Sequence, residues 1–146
     1  MPDRRPLPHT RIGFIGGGQL ARMMVPAATR LGCTCTVLDP TPDAPAAQIL
    51  SDRQIVADFH DGAALAELAS ACDVLTYDLE NIDAGTLQEL ADAGHAIYPA
   101  PRLLAIVQDK LTQKELYRDA GIPTADFVRV DAPTPETFAD FGYPLV

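Results

Sequence analysis

The stretch Arg11-Ile-Gly-Phe-Ile-Gly-Gly-Gly-Gln-Leu-Ala-Arg22 determines how the rest of the chain is interpreted. Its first half is short and apolar, which predicts a buried strand, and its second half predicts a glycine turn that opens a helix. Gly16, Gly18 and Ala21 match the spacing G-x-G-x-x-A, in which the glycines permit a tight turn and a small third residue lets the helix pack on the strand. The motif indicates a nucleotide-type loop without identifying the nucleotide.

The predicted helix begins at this turn, so the N–H groups of Gly18, Gln19 and Leu20 would have no partner inside the helix. Unpaired N–H groups at a helix N-terminus carry partial positive charge and bind anions or polar groups. The sequence therefore predicts a binding site at the backbone of these three residues.

Length and composition are those of a globular protein with one domain, or with one domain and the start of a second. The chain has 146 residues, of which 47% are hydrophobic and 21% are charged. No apolar run approaches the roughly 20 residues needed to cross a bilayer, and residues 1–10 lack the apolar core of a signal peptide. We therefore expect a disordered lead-in over residues 1–10 and a cytoplasmic protein without a membrane partner.

The net charge of −9 argues against binding to nucleic acid or to an anionic membrane, since both require a basic patch. The three cysteines and three histidines show no metal-ligand spacing, so no metal site is predicted from them. We interpret Cys33, Cys35 and Cys72 as buried, reduced thiols.

Apolar segments of strand and helix type alternate through residues 11–100, which predicts an α/β fold with a doubly wound parallel sheet. Strands are predicted at residues 11–15, 34–38, 54–57, 73–77 and 95–98. In the first helix, six apolar residues recur at helical spacing and are predicted to face the core: Leu20, Met23, Met24, Ala27, Ala28 and Leu31.

The pattern changes after Pro101. Two helices and a strand are predicted there, at residues 102–107, 111–120 and 125–130, with Lys110 in the connection between the helices. Residues 142–146 begin another extended segment. We interpret residues 11–100 as one domain and residues 101–146 as the beginning of a second domain, in a chain that is the N-terminal piece of a longer protein.

Three loops would leave the carboxyl edge of the predicted sheet, where ligands bind in open parallel sheets: Gly16–Leu20, Asp39–Pro45 and Asp78–Asn81. Asp39 lies about twenty residues beyond the glycines, where a dinucleotide fold places the acid that binds a ribose. This spacing favours an NAD-binding module, although the prolines that follow Asp39 would crowd an adenine. Glu80 could accept hydrogen bonds from two ribose hydroxyls, or be a solvated acid beside a helix N-terminus.

Four segments together resemble the N5-carboxyaminoimidazole ribonucleotide synthase family of the ATP-grasp superfamily: Gly16-Gly-Gly-Gln-Leu20, Leu38-Asp-Pro-Thr-Pro-Asp-Ala-Pro-Ala-Ala-Gln48, Tyr77-Asp-Leu-Glu-Asn81 and Gln108-Asp-Lys-Leu-Thr-Gln-Lys114. The proline-rich segment is the most specific of the four. The family commonly has Gly where Ala21 stands and Glu where Asp78 stands, which affects fine packing rather than the class of ligand. The resemblance implies a Rossmann-like pre-ATP-grasp domain followed by the start of an ATP-grasp domain.

The same resemblance implies site residues. Gly18, Gln19 and Leu20 would contact 5-aminoimidazole ribonucleotide, and Glu80 would bind its ribose side. Lys110 would touch the phosphates of ATP.

The implied activity is an ATP-dependent ligation of purine biosynthesis, in which bicarbonate carboxylates the ribonucleotide through carboxyphosphate. No catalytic residue is assigned within this chain, and the Mg²⁺ ligands would lie beyond Val146, so this piece alone would be inactive. The family makes a homodimer the expected assembly. The alternative from another class of function is a non-catalytic NAD-binding regulatory module.

Overall fold

The computed structural model describes residues 9–49, 53–132 and 134. The chain divides into two compact units, residues 1–108 and residues 109–146. None of the helices in the described ranges is long and apolar enough to cross a membrane.

The first unit contains a five-stranded sheet. Its strands are β1 (Arg11–Ile15), β2 (Thr34–Leu38), β3 (Gln54–Ile55), β4 (Val74–Tyr77) and β5 (Ile97–Tyr98). They are all parallel and lie in the order β3-β2-β1-β4-β5, so the strand order reverses beside β1. The helices of this unit are α1 (Gln19–Arg30), α2 (Gly62–Ala71), α3 (Ala84–Asp92) and α4 (Pro101–Gln108), with a 3₁₀ turn at Ala47–Ile49.

Alternation along the strands sends side chains into two hydrophobic cores, one on each face of the sheet. Phe14 and Val37 pack with α1, whereas Ile15 and Leu38 pack on the opposite face with α2 and α3. Strands that are covered on both faces are typical of parallel sheets. The predicted doubly wound α/β fold is therefore confirmed.

The buried face of α1 differs from the predicted one. Ala21, Val25 and Ala28 pack against the sheet. Three of the six residues predicted to face the core are instead more than half exposed: Leu20, Met23 and Leu31. The cause is the third position of the glycine motif, because the small Ala21 lets α1 approach β1 and residues four and seven positions later share its face.

Local signals determine where the helices begin and end. Gly32, with φ of 81°, follows α1, and Gly94, with φ of 102°, follows α3, so each glycine takes the left-handed conformation common after a helix. The Asp61 carboxylate accepts from the N–H groups of Ala63 and Ala64 and caps α2. Asp83 caps α3 in the same way, which the sequence interpretation missed.

The second unit contains α5 (Lys110–Asp119), whose N-cap is Asp109. Lys110 is thus the first residue of a helix rather than part of a longer connection. The strand predicted at residues 125–130 is absent from this described range, because no described segment pairs with its backbone. Residues 1–8 of the predicted lead-in and the extended segment predicted at 142–146 lie outside the described residues.

Replacing Asp83 with alanine should lower the free energy of unfolding by about 1 kcal/mol at pH 7, since an N-cap is lost. The Asp83 carboxylate accepts from the Thr86 N–H at 3.1 Å and from the Thr86 hydroxyl at 2.8 Å, and these bonds hold its pKa below the usual value. A folded-state pKa below the unfolded value, which is about 3.9, means that the stabilisation is present above that pH and lost as the pH falls through the folded-state pKa. The loss caused by Asp83→Ala should therefore shrink below about pH 4.

Thermal unfolding at pH 7 and pH 3 measures this difference. The control is Asp92→Ala, which removes a carboxylate at the C-terminal end of the same helix, where negative charge is not favoured. An equal loss for Asp83→Ala at both pH values would contradict the capping account.

Candidate functional site

The strand register places the three predicted loops side by side. Ile15 pairs with Leu38 on one side and with Tyr77 on the other. The residue that follows each of these, a glycine after β1 and an aspartate after β2 and β4, therefore leaves the sheet at the same carboxyl edge. This edge is where open parallel sheets bind ligands.

The turn after β1 (the glycine turn, residues 16–20) is held by the segment after β2 (the proline-rich loop, residues 39–46). The N–H of Gly16 donates to the Leu38 carbonyl at 2.8 Å, and the N–H of Gly17 donates to Oδ2 of Asp39 at 2.7 Å. The carbonyl of Gly17 accepts from the Ala46 N–H at 2.8 Å. Both polar groups of the Gly17 backbone are thus paired with the proline-rich loop.

The Asp39 carboxylate accepts hydrogen bonds from the protein backbone, so its oxygens are not available to a ribose. Its side chain is buried, and while Oδ2 accepts from Gly17, Oδ1 accepts from the Thr41 N–H at 2.8 Å. An acid that binds a dinucleotide ribose needs its oxygens for the ribose hydroxyls, so this geometry disfavours the NAD-binding alternative. The bond to Thr41 has a sequence signal, because an Asp that bonds two residues onward forms an Asx turn.

The N-terminus of α1 presents the three predicted backbone donors. Gly18 is the N-cap, with φ of −74° and no side-chain cap, and the first turn has no acidic residue. Within the described ranges, no oxygen accepts from the N–H groups of Gly18, Gln19 or Leu20, and all three residues are exposed. This arrangement can bind an anion or another acceptor group.

The loop after β4 (the β4–α3 loop, residues 78–83) lies against the glycine turn. Gly16 has φ of 101°, which favours glycine, and a Cβ placed on it would overlap the Leu79 side chain and come within 3.3 Å of Oδ1 of Asp78. The structure therefore brings together the glycine turn, the proline-rich loop and the β4–α3 loop, as the sequence predicts.

Glu80 is exposed and lies on the wall of a cavity of about 680 Å³ at the ends of β4 and β5. The Tyr77 hydroxyl in this wall donates to the Pro99 carbonyl at 3.1 Å, and burial raises the pKa of Tyr77. Carboxylates of the β4–α3 loop and aliphatic side chains of α4 both line the cavity. The lining residues are Tyr77, Asp78, Leu79, Glu80, Pro99, Leu103, Leu104 and Val107.

Gln108 fixes the backbone that carries Glu80. Its Nε2 donates to the Glu80 carbonyl and to the Ile82 carbonyl, each at 2.7 Å. These bonds join the last residue of α4 to a loop that is 26 or more positions earlier in the chain. No local sequence signal identifies such a long-range contact, and the sequence interpretation gave Gln108 no role.

Lys110 belongs to the second unit, where it lies at a separate cavity of about 500 Å³. Three cationic side chains line this cavity, and one of them, Lys114, donates from Nζ to the Thr124 hydroxyl at 2.6 Å. The lining residues are Asp109, Lys110, Leu111, Lys114, Phe127, Val128, Arg129, Val130 and Asp131. Lysine and arginine side chains suit the binding of phosphate groups.

Comparison with known proteins identifies the family of this chain. The family model described as the ribonucleotide synthetase preATP-grasp domain matches residues 9–108. The chain belongs to this family. Its preATP-grasp domain contains the glycine turn, the proline-rich loop, Glu80 and Gln108.

Relatives of known name cover most of this chain. The N5-carboxyaminoimidazole ribonucleotide synthase of Brucella melitensis is 45% identical over 124 residues, which are 85% of this chain and 34% of the relative. The crystal structure of the corresponding synthetase from Thermotoga maritima matches with a TM-score of 0.83 and 44% identity, over 92% of this chain and 37% of that one.

A structure from Aspergillus clavatus is also similar to this chain. This N5-carboxyaminoimidazole synthase, solved in complex with ADP and 5-aminoimidazole ribonucleotide, has a TM-score of 0.75 and 38% identity, over 82% of this chain and 31% of that one. The chain thus spans about a third of the length of the relatives it matches.

The packing of the glycine turn makes a paired prediction. A Cβ on Gly17 would lie 2.7 Å from the Cβ of Ala44 and 3.0 Å from Cγ1 of Val37, whereas a Cβ on Gly18 would have nothing within 4 Å. Gly17→Ala should therefore lower the free energy of unfolding by about 1 to 3 kcal/mol, as overpacked substitutions do. Gly18→Ala should change it by less than about 1 kcal/mol, because its small capping and entropic effects oppose each other.

Urea denaturation of the two variants beside the unmodified protein measures both changes. If Gly18→Ala were as destabilising as Gly17→Ala, the proposed packing of the proline-rich loop on Gly17 would be wrong.

Proposed function

We propose that this chain is the substrate-binding N-terminal part of an N5-carboxyaminoimidazole ribonucleotide synthase, an ATP-dependent carbon–nitrogen ligase. The observation that carries the proposal is the 45% identity over 85% of this chain to the Brucella melitensis enzyme of that name. In the proposed reaction, ATP phosphorylates bicarbonate, and the resulting carboxyphosphate breaks down to carbon dioxide and phosphate. The amine of 5-aminoimidazole ribonucleotide then attacks the carbon dioxide, loses a proton and becomes the N5-carbamate.

The carboxyl edge of the sheet supplies groups that suit the ribonucleotide. The N–H groups of Gly18, Gln19 and Leu20 can donate to its anionic or acceptor atoms, and the Gln19 side chain adds a polar group beside them. Glu80 is an acceptor for ribose hydroxyls, and its backbone is held by Gln108. The binding of 5-aminoimidazole ribonucleotide by the Aspergillus clavatus relative supports this choice of ligand.

Lys110 is proposed to contact the phosphates of ATP from the second unit. The neighbouring cations that line its cavity are consistent with a polyanionic ligand. Within residues 9–49, 53–132 and 134, no group of three or more His, Cys, Asp or Glu side chains is placed to bind a metal ion. The described residues therefore offer no such cluster for Mg²⁺, and we propose that the metal ligands lie in the part of the relatives that this chain does not span.

Two further assignments depend on the family resemblance. We propose a cytoplasmic enzyme of purine biosynthesis and a homodimeric assembly. Sedimentation of the complete protein tests the assembly, and a monomeric mass at micromolar concentration would exclude it.

Calorimetric titration of the complete protein to which this chain belongs tests the function. We expect 5-aminoimidazole ribonucleotide to bind with a dissociation constant in the micromolar range, as is ordinary for enzyme substrates. We expect NAD not to bind, because the Asp39 carboxylate is already paired. Binding of NAD without a response to the ribonucleotide would overturn the proposal in favour of a regulatory dinucleotide-binding module.

Replacing Glu80 with glutamine should raise the KM for the ribonucleotide about tenfold and leave the KM for ATP nearly unchanged. The reason is that an amide presents one acceptor oxygen where the carboxylate presents two, and the lost charge weakens the bonds from the ribose hydroxyls. Steady-state assays of the complete enzyme, with each substrate varied in turn, give both constants.

The matched control is Glu89→Gln, which makes the same change at an exposed position of α3 away from the cavity. Unchanged constants for Glu80→Gln, or equal increases for both substrates, would show that Glu80 does not bind the ribonucleotide.

A further inference from the structure

We infer that Asp39 is a positioning residue for the ribonucleotide: it holds the glycine turn so that the N–H groups of Gly18, Gln19 and Leu20 face the ligand. Asp39 itself does not contact the ligand in this arrangement. The inference rests on the proposed function, because it concerns the same binding edge of the sheet.

The carboxylate joins two segments that are distant in the sequence. Gly17 and Asp39 are 22 residues apart, and the bond between the Gly17 N–H and Oδ2 of Asp39 is 2.7 Å long and buried. The other oxygen is taken by the Thr41 N–H at 2.8 Å, which fixes the direction of the side chain. The residue directly before the donor-bearing backbone of α1 is therefore tied to the end of β2.

Only a carboxylate satisfies this position. Two backbone N–H groups point at the same small side chain, so both of its polar atoms must accept. Asparagine has the same shape but one acceptor oxygen and one donor NH₂ group, so that one of the two N–H groups would face another donor. The Asp39→Asn substitution therefore breaks one bond at an almost unchanged volume.

Loss of this bond should affect ligand binding more than folding. The ladder between β1 and β2 and the bond between Ala46 and the Gly17 carbonyl do not involve the Asp39 side chain. What the carboxylate adds is a fixed orientation of Gly17, and hence of the next three N–H groups. A ligand that must order these groups itself binds more weakly, because ordering costs conformational entropy at the moment of binding.

The same bond gives the site part of its specificity. At this place a dinucleotide site uses a free acid to bind the adenosine ribose. Here the acid is committed to the protein, and the small Ala44 packs beside Gly17. The edge is therefore arranged for a ligand that approaches α1 and the β4–α3 loop rather than the end of β2.

The test compares Asp39→Asn with Asp43→Asn in the complete protein. Asp43 lies in the same loop, is exposed, and has φ of 55°, a conformation that asparagine tolerates, so the control removes the same charge without disturbing the backbone. Calorimetry gives the dissociation constants for 5-aminoimidazole ribonucleotide and for ADP at a temperature where thermal scans show each variant to be folded. We expect Asp39→Asn to raise the dissociation constant for the ribonucleotide about tenfold and to leave the constant for ADP unchanged. Asp43→Asn should leave both constants unchanged.

Each other outcome contradicts the inference. If Asp39→Asn left both constants unchanged while lowering the Tm, Asp39 would have a structural role alone. If the substitution weakened the binding of both ligands equally, its effect would not act through the glycine turn. If the unmodified protein bound no ribonucleotide, the proposed function would fail first, and that result is independent of the variants.

Amide hydrogen exchange of the unmodified protein keeps the inference testable if Asp39→Asn does not fold. The Gly17 N–H should exchange slowly before any ligand is added, whereas the N–H groups of Gly18, Gln19 and Leu20 should exchange fast and become protected when 5-aminoimidazole ribonucleotide binds. Fast exchange at Gly17, or no added protection at the other three, would overturn the inference.

Discussion

Gly17 donates its N–H to the buried carboxylate of Asp39, and its carbonyl accepts from the N–H of Ala46 at the end of the proline-rich loop. A backbone that is paired on both sides cannot rotate freely, so the path of the chain from β1 into α1 is fixed. Because α1 begins within two residues of Gly17, its direction and its open N–H groups follow from this pairing. The packing of α1 on the sheet and the character of the binding edge both depend on it.

The parallel sheet then determines what stands around the turn. Parallel strands end at a common edge, and the order with β1 between β2 and β4 places both neighbouring loops beside the glycine turn. The two neighbours have different tasks. The proline-rich loop after β2 contains the acid that holds the turn, whereas the β4–α3 loop places Glu80 at a cavity. Asp39 thus accepts from the protein backbone, whereas Glu80 lies on the wall of the cavity.

The sequence is sufficient to predict the parallel strands and the helices between them, since strand-type and helix-type segments alternate and the glycine motif places the first turn. It misleads about α1, where counting apolar residues selects Leu20, Met23 and Leu31 although small size decides the contact with the sheet. The motif itself indicates the correct face, because Ala21, the small residue at its third position, packs on the strand. The prediction of a strand at residues 125–130 was wrong for a different reason. A segment with strand propensity forms a strand only when another segment pairs with its backbone.

The candidate site shows the same division between local and long-range information. Candidate donors and Glu80 follow from strand ends and spacing, which are local features. The bonds of Asp39 to Gly17 and of Gln108 to the β4–α3 loop join residues 22 and 26 or more positions apart, so no pattern within a short window reports them. The spacing of Asp39 even suggested the wrong partner, because a dinucleotide-binding acid and a turn-holding acid occupy the same position in the sequence.

The charge of the protein limits how such a site can work. With a net charge of −9, the long-range field of the chain repels a nucleotide, so it cannot supply the attraction. Binding must therefore come from groups that contact the nucleotide directly. Salt screens the interactions of such groups little when the groups are partly desolvated. Backbone N–H groups at a helix N-terminus meet this requirement, because they attract an anion without a cationic side chain. Their effect depends on direction, and direction is what the Gly17–Asp39 bond provides.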